Sequence, residues 1–176
     1  MTLDLEIRDQ RDARYASHVP VLRAWLAGRR WKIVEHGCGL FSTPLLAQYA
    51  DSLVCFERHR QWREQVAEAV PSADMRPVPE FLDEFRDNFA AEITPEHVVF
   101  IDGSPGAWRI DAIQVAQQQS AQLIIAHDWS DTQVSYGYHL LKDHPRYTKH
   151  AYRCESTKLR TAVFRYTPYV ENHECT

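Results

Sequence analysis

The chain has 176 residues, 44% of them hydrophobic and 25% charged, with a formal net charge of −4. These are the proportions of a soluble globular protein with room for one sizeable core, and an acidic balance does not suit a chain built to coat a polyanion. No apolar run approaches a membrane span. The start, "MTLDLEIRDQRDARY", lacks the apolar centre of a signal peptide. Cys38, Cys55, Cys154 and Cys175 stand far apart with no C-x-x-C spacing, which reads as reduced thiols in a cytoplasmic protein rather than a zinc site. With no repeat and no linker-like tract, residues 1–176 read as one domain.

Taken in order, the elements alternate. "VPVLRAWLAG" has apolar residues at helical spacing and a closing Gly28, a short leading helix. "WKIVE" is a strand. Ser42 or Thr43 can cap a helix over "PLLAQYA", with Pro44 near its first position. "SLVCFE" is a second strand, and "RQWREQVAEAV" an amphipathic helix that ends before Pro71. "ADMRPVP" is a weak third strand. "EFLDEFRDNFA" is a helix with Phe81, Phe85 and Phe89 on one side. "HVVFID" is a fourth strand, "AWRIDAIQVAQQQ" a helix and "AQLIIAHD" a fifth strand; a helix around "QVSYGYHLLKD" follows. The segments "YTKHAYRCES" and "LRTAVFRYT" form an antiparallel pair joined near Ser156.

Strands alternating with helices imply an α/β architecture with a mostly parallel sheet and right-handed crossovers. Three apolar strands end in the acids Glu35, Glu57 and Asp102, and another ends in His127-Asp128. Ligands of such sheets bind beyond the carboxyl ends of the strands, so these residues gather where a site is expected. Gly37 and Gly39 suit a tight strand-to-helix turn. The third glycine of a dinucleotide fingerprint is missing, and alone the motif E-x-G-x-G is as consistent with plain turn chemistry as with a ligand. Glu57, twenty residues past Gly37, tips the pattern toward a ribose-bearing cofactor, because a carboxylate there can accept both ribose hydroxyls.

"VEHGCGLFST" followed by "LVCFERHRQW" resembles the first two motifs of class I S-adenosylmethionine-dependent methyltransferases. The resemblance spans nearly the whole chain. It implies a three-layer Rossmann-like fold whose mostly parallel seven-stranded sheet carries a C-terminal antiparallel strand. It also implies S-adenosyl-L-methionine as cofactor, with Glu35 near its methionine end, Glu57 on its ribose, Gly37 and Gly39 in the turn and Asp102 beside the methyl-donating centre. "DGSPG", the downstream Arg109 and "IIAHD" are locally similar to the group that includes plant glucuronoxylan O-methyltransferases, here as Asp102, Gly103, Pro105, Gly106, Arg109, His127 and Asp128. This points to O-methylation. Catechol-type O-methyltransferases place metal-binding acids after the same two strands, which makes Asp102 and Asp128 candidate ligands for a hard divalent cation. The Asn those enzymes use as a third ligand is Trp129 here.

His127 is the candidate general base, since its unperturbed pKa of about 6.5 suits neutral pH. Asp128 or Asp102 can orient it, Asp102 can act as base itself, and a strand-end histidine bonded to backbone is the structural alternative. Trp129, Tyr136 and Tyr138 can wall an acceptor ring or lie in the core. Residues 142–165 are basic, which suits a solvated face, or an anionic acceptor such as a uronate or a nucleic acid. The expected function is methyl transfer to a small-molecule or saccharide hydroxyl, with nucleic acid and membrane outside the expected partners. The rivals are a non-catalytic binding or assembly module and an NAD-dependent oxidoreductase.

Overall fold

The computed structural model describes residues 10–130 and 134–168. A short helix α1 (Gln10–Tyr15) and helix α2 (Val19–Leu26) lead into β1 (Trp31–His36), α3 (Ser42–Tyr49), β2 (Ala50–Glu57), α4 (Arg60–Ala69), β3 (Asp74–Pro77), α5 (Leu82–Ala91) and β4 (His97–Ile101). A single 3-10 turn, Gly106–Trp108, opens α6 (Arg109–Gln118), and β5 (Leu123–His127), β6 (Tyr147–Arg153) and β7 (Arg160–Tyr166) complete one sheet. Its strand order is β3-β2-β1-β4-β5-β7-β6. The pairs from β3 through β5 are parallel, and β7 runs antiparallel to both β5 and β6. The seven-stranded, mostly parallel sheet and its reversed last strand are those expected from the sequence.

Strand parity divides the core in two. In β4, Val99 and Ile101 face Phe56, Phe85, Phe89 and Ile113, while Val98 and Phe100 face Leu22, Leu26, Leu46 and Val66. Helices α5 and α6 thus cover one face, and α2, α3 and α4 the other. Burial on both faces explains why these strands read as near-continuous apolar runs. Fully burying each such side chain contributes about 1.5–3 kcal/mol, which holds the strand ends in fixed register beneath the loops.

Three local expectations are corrected. Phe81 precedes α5 and is 69% exposed, so only Phe85 and Phe89 of the three carry that helix into the core. Neither Ser42 nor Thr43 caps α3: Phe41 holds the cap position and both hydroxyls turn inward to Glu35. The predicted helix over 133–143 is absent from its described part, where Tyr138–Leu140 makes one 3-10 turn. Gly137 takes the left-handed conformation at φ 73°, which ends any helical run. Tyr138 is drawn into the core, its ring stacked 4.6 Å from Trp129 and its hydroxyl donating to the His127 carbonyl at 3.0 Å. With Trp129 and Tyr138 at most 3% exposed, both are core residues rather than an acceptor wall.

Candidate active site

Register brings the strand-end residues together. Glu35 pairs across β1 and β2 with Cys55, and His36 with Phe56, so Gly37 emerges opposite Glu57. On the other side Ile101 pairs with Ala126, which sets Asp102 beside His127. The edge therefore carries Glu57, the glycine turn, Asp102 and His127 in spatial sequence.

Glu35 is fully buried and its oxygens are in use. Ser42 donates at 2.6 Å, Thr43 at 2.7 Å and the Cys55 thiol at 3.1 Å. Burial outweighs these donors and pushes the carboxyl up from 4.5 to about 7. Thr43 also accepts the Gly39 amide at 2.9 Å. Glu35 is thus the post around which the turn and the first residues of α3 are tied. Gly37 has φ 90°, and a Cβ there would lie 2.7 Å from the Asp102 carbonyl carbon and would collide with Gly103. The chain needs glycine at this position twice over, for its backbone angle and for the contact between the β1 and β4 loops.

Glu57 ends β2 with 5% exposure. One oxygen accepts the His59 amide at 2.7 Å, and Cys38 Sγ lies 4.0 Å from the other. Burial raises its pKa, against the pull of the His59, Arg58 and Cys38 backbone amides toward the ionised form. The turn itself is braced from α4, where the Trp62 indole donates to the Cys38 carbonyl at 2.7 Å.

At the other end Asp102 divides its two oxygens. Oδ1 pairs with Arg109 at 2.9 Å and Oδ2 faces His127 Nδ1 at 3.1 Å. Burial would raise this carboxyl, but the His127 and Arg109 cations outweigh it and hold it at about 2. Burial likewise lowers His127, yet the Asp102 and Asp128 carboxylates leave its pKa above the usual value. Arg109 is buried and donates to the carbonyls of Gly103 at 2.9 Å and Asp102 at 2.8 Å, with Asp128 at 3.7 Å and the Tyr136 ring 4.2 Å away. Asp128 adopts φ 53°, a conformation uncommon outside glycine though least so for Asp and Asn.

An all-oxygen ion site on Asp102 and Asp128 does not fit this geometry. The Arg109 guanidinium stands between the two carboxylates and supplies the positive charge such an ion would bring.

The N-terminal segment completes the cluster, and it was not identifiable from the sequence. Ser17 Oγ is 2.7 Å from His127 Nε2, and the His18 ring centre is 4.6 Å from that of His127. In the tautomer that Asp102 selects, Nδ1 carries the proton and Nε2 accepts from Ser17. Ser17 at Nε2 and the Asp102 carboxylate 3.1 Å from Nδ1 flank the two nitrogens of the imidazole, an arrangement able to take up a hydroxyl proton. A separate hollow of about 370 Å³, lined by Phe56, Arg76, Pro77, Pro79, Glu84 and Asn88 among others, opens on the α5 face of β2 and β3. Its lining does not include Asp102 or His127, but Pro77 pairs with Glu57 at the ends of β3 and β2.

No protein-family profile matches the chain, and no curated protein matches it in sequence. Solved structures do match in shape. An O-methyltransferase from Bacillus cereus in complex with SAH gives a TM-score of 0.63 at 16% identity over 93% of this chain and 84% of that one. The O-methyltransferase TomG from Streptomyces achromogenes, in complex with SAM, gives 0.63 at 16% identity over 87% and 79%. The N-methyltransferase NodS from Bradyrhizobium japonicum gives 0.61 at 13% identity over 90% and 99%. Likeness at such identities speaks to architecture: the chain has the α/β Rossmann-like methyltransferase fold, with a seven-stranded sheet and a reversed C-terminal strand.

Proposed function

We propose that this chain is an S-adenosylmethionine-dependent methyltransferase that acts on a hydroxyl group of a small-molecule or saccharide acceptor. One juxtaposition carries the reading. A single carboxyl edge sets a glycine turn opposite Glu57 at one end and the Asp102–His127 pair at the other. A nucleoside cofactor laid across β1 would meet Glu57 at its ribose and the backbone of Gly37 and Gly39 along its length. In this role Glu35 supports the turn through Ser42 and Thr43. That two structural neighbours were solved with SAH and SAM supports the choice of cofactor.

Methyl transfer from a sulfonium is an in-line displacement of an already activated group. The protein's share is to position the acceptor and remove its proton. His127, held by Asp102, accepts that proton at Nε2. Because its pKa lies above the usual value, the rate should rise with pH as His127 loses its proton. A uronate suits the exposed basic residues Lys149, Arg153 and Lys158, so uronic acids head the acceptor panel, followed by neutral sugars and catechols.

The test is transfer of a radiolabelled methyl group from S-adenosylmethionine to that panel. Wild type is expected to label at least one acceptor, and His127→Ala to lower the rate by about 10²–10⁴-fold with the affinity for S-adenosylhomocysteine retained. A folded His127→Ala that keeps a near wild-type rate at every pH would remove His127 as base and leave Asp102 as the candidate. One observation favours a second reading: His127 is 3% exposed and Ser17 occupies its Nε2. Residues 16–18 must move before an acceptor reaches the base. A non-catalytic binding module would keep them in place, and would bind the cofactor while labelling nothing.

A further inference from the structure

His18 is 2% exposed, and among the described residues neither of its ring nitrogens has a hydrogen-bond partner. Burying an imidazole with both nitrogens unmet is costly, so the position calls for a partner that the protein's own atoms do not provide. The ring stands against Phe100 at 5.0 Å on one side and His127 at 4.6 Å on the other. One ligand atom each from His18, His127 and Asp102 lies within 4.8 Å of the others. The Asp102 oxygen facing His127 is the one Arg109 does not hold, and its 3.1 Å separation from Nδ1 suits two donors to one ion.

We propose that His18, His127 and Asp102 form a binding site for a divalent transition-metal ion such as Zn²⁺ or Co²⁺. Two imidazoles and one carboxylate are a borderline donor set, which favours these ions over Mg²⁺ or Ca²⁺. Local charge is compatible: once His127 has given up its proton, Asp102 and Asp128 against Arg109 leave the cluster one negative charge. A neutral His18 ring offers one nitrogen lone pair to an ion. The ion would take the place of the proton shared by His127 and Asp102. A bound ion and a free base are therefore alternative states of one imidazole. The site requires only the three side chains, whatever reaction the edge carries out.

The experiment uses the full chain, stripped with a chelator and titrated with Co²⁺ and separately loaded with Zn²⁺ and desalted. One metal per chain is expected, with visible Co²⁺ absorption, no such retention of Mg²⁺, and affinity lowered by more than about tenfold in His18→Ala and His18→Gln. X-ray absorption on Zn²⁺-loaded wild type should show two imidazoles and no sulfur, a readout that does not depend on either variant folding. Retention of no Zn²⁺, a shell containing sulfur, or an unchanged Co²⁺ spectrum and affinity in folded His18 variants would each overturn the proposal. S-adenosylhomocysteine binding measured on the same samples separates this site from the methyltransferase reading: loss of metal binding alone sinks the site, and loss of cofactor binding alone sinks that reading.

Discussion

Glu35→Gln tests whether a carboxyl group buried under the glycine turn sets the pH dependence of stability. The folded protein moves this group from 4.5 to about 7. A tenfold change in proton affinity is worth about 1.4 kcal/mol, so the shift favours the folded, protonated form by roughly 3 kcal/mol at low pH. The sign follows from the raised value: this contribution is present below about pH 4.5 and is lost as pH rises through about 7. Gln keeps the shape, holds no charge, and still meets the Ser42 and Thr43 hydroxyls, which can reorient. Urea unfolding of both proteins at pH 5, 6, 7 and 8 gives a difference curve from which His127 and the other common groups cancel. The variant should gain about 2–3 kcal/mol on wild type between pH 5 and 8. Parallel curves would show that the three donors to Glu35 offset burial, and would refute the reasoning.

Gly37→Ala should cost more than about 3 kcal/mol or prevent folding, since its Cβ meets backbone that cannot turn aside; Gly28→Ala, also at positive φ but with nothing within 4 Å, should cost only about 1–2 kcal/mol, and equal melting temperatures for the two would contradict this. Glu57→Ala should fold and weaken S-adenosylhomocysteine binding by roughly 1.5–3 kcal/mol, the worth of a hydrogen bond to a charged group; an unchanged Kd removes Glu57 from the site. His36, fully buried against Phe85 at 4.8 Å, is lowered to about 3, chiefly by burial. It therefore stabilises the fold above its unfolded value of about 6.5 and loses that contribution as pH falls toward 3, so His36→Phe should resist acid unfolding better than wild type; identical acid midpoints would count against it.

Much of the carboxyl edge was legible because it depends on strand order and on local residue types. Apolar runs closing in Glu35, Glu57, Asp102 and His127 place those residues at strand ends once the strands are parallel and in register. Two kinds of information were not legible. The first is a residue whose role is set by tertiary contact: Tyr138 sits in a stretch with helical spacing, but its stacking on Trp129 and the left-handed Gly137 override local preference. Ser42 likewise has the chemistry of a helix cap but is taken by Glu35 across the turn. The second is a partner distant in sequence: no spacing rule links Ser17 or His18 to His127, 110 residues away from Ser17. Arg109 was visible as part of a motif, but its place between Asp102 and Asp128, which disfavours a hard ion there, emerges only in three dimensions.

The central claim is that the Gly37–Gly39 turn and Glu57 hold S-adenosylmethionine rather than a dinucleotide. Calorimetric titration of the full chain with S-adenosylhomocysteine, and in parallel with NAD, tests it most directly. The expected result is saturable binding of S-adenosylhomocysteine at one site per chain, with NAD weaker, because the turn lacks the third glycine of a pyrophosphate-binding fingerprint. Tight NAD binding with no heat from S-adenosylhomocysteine would contradict the account.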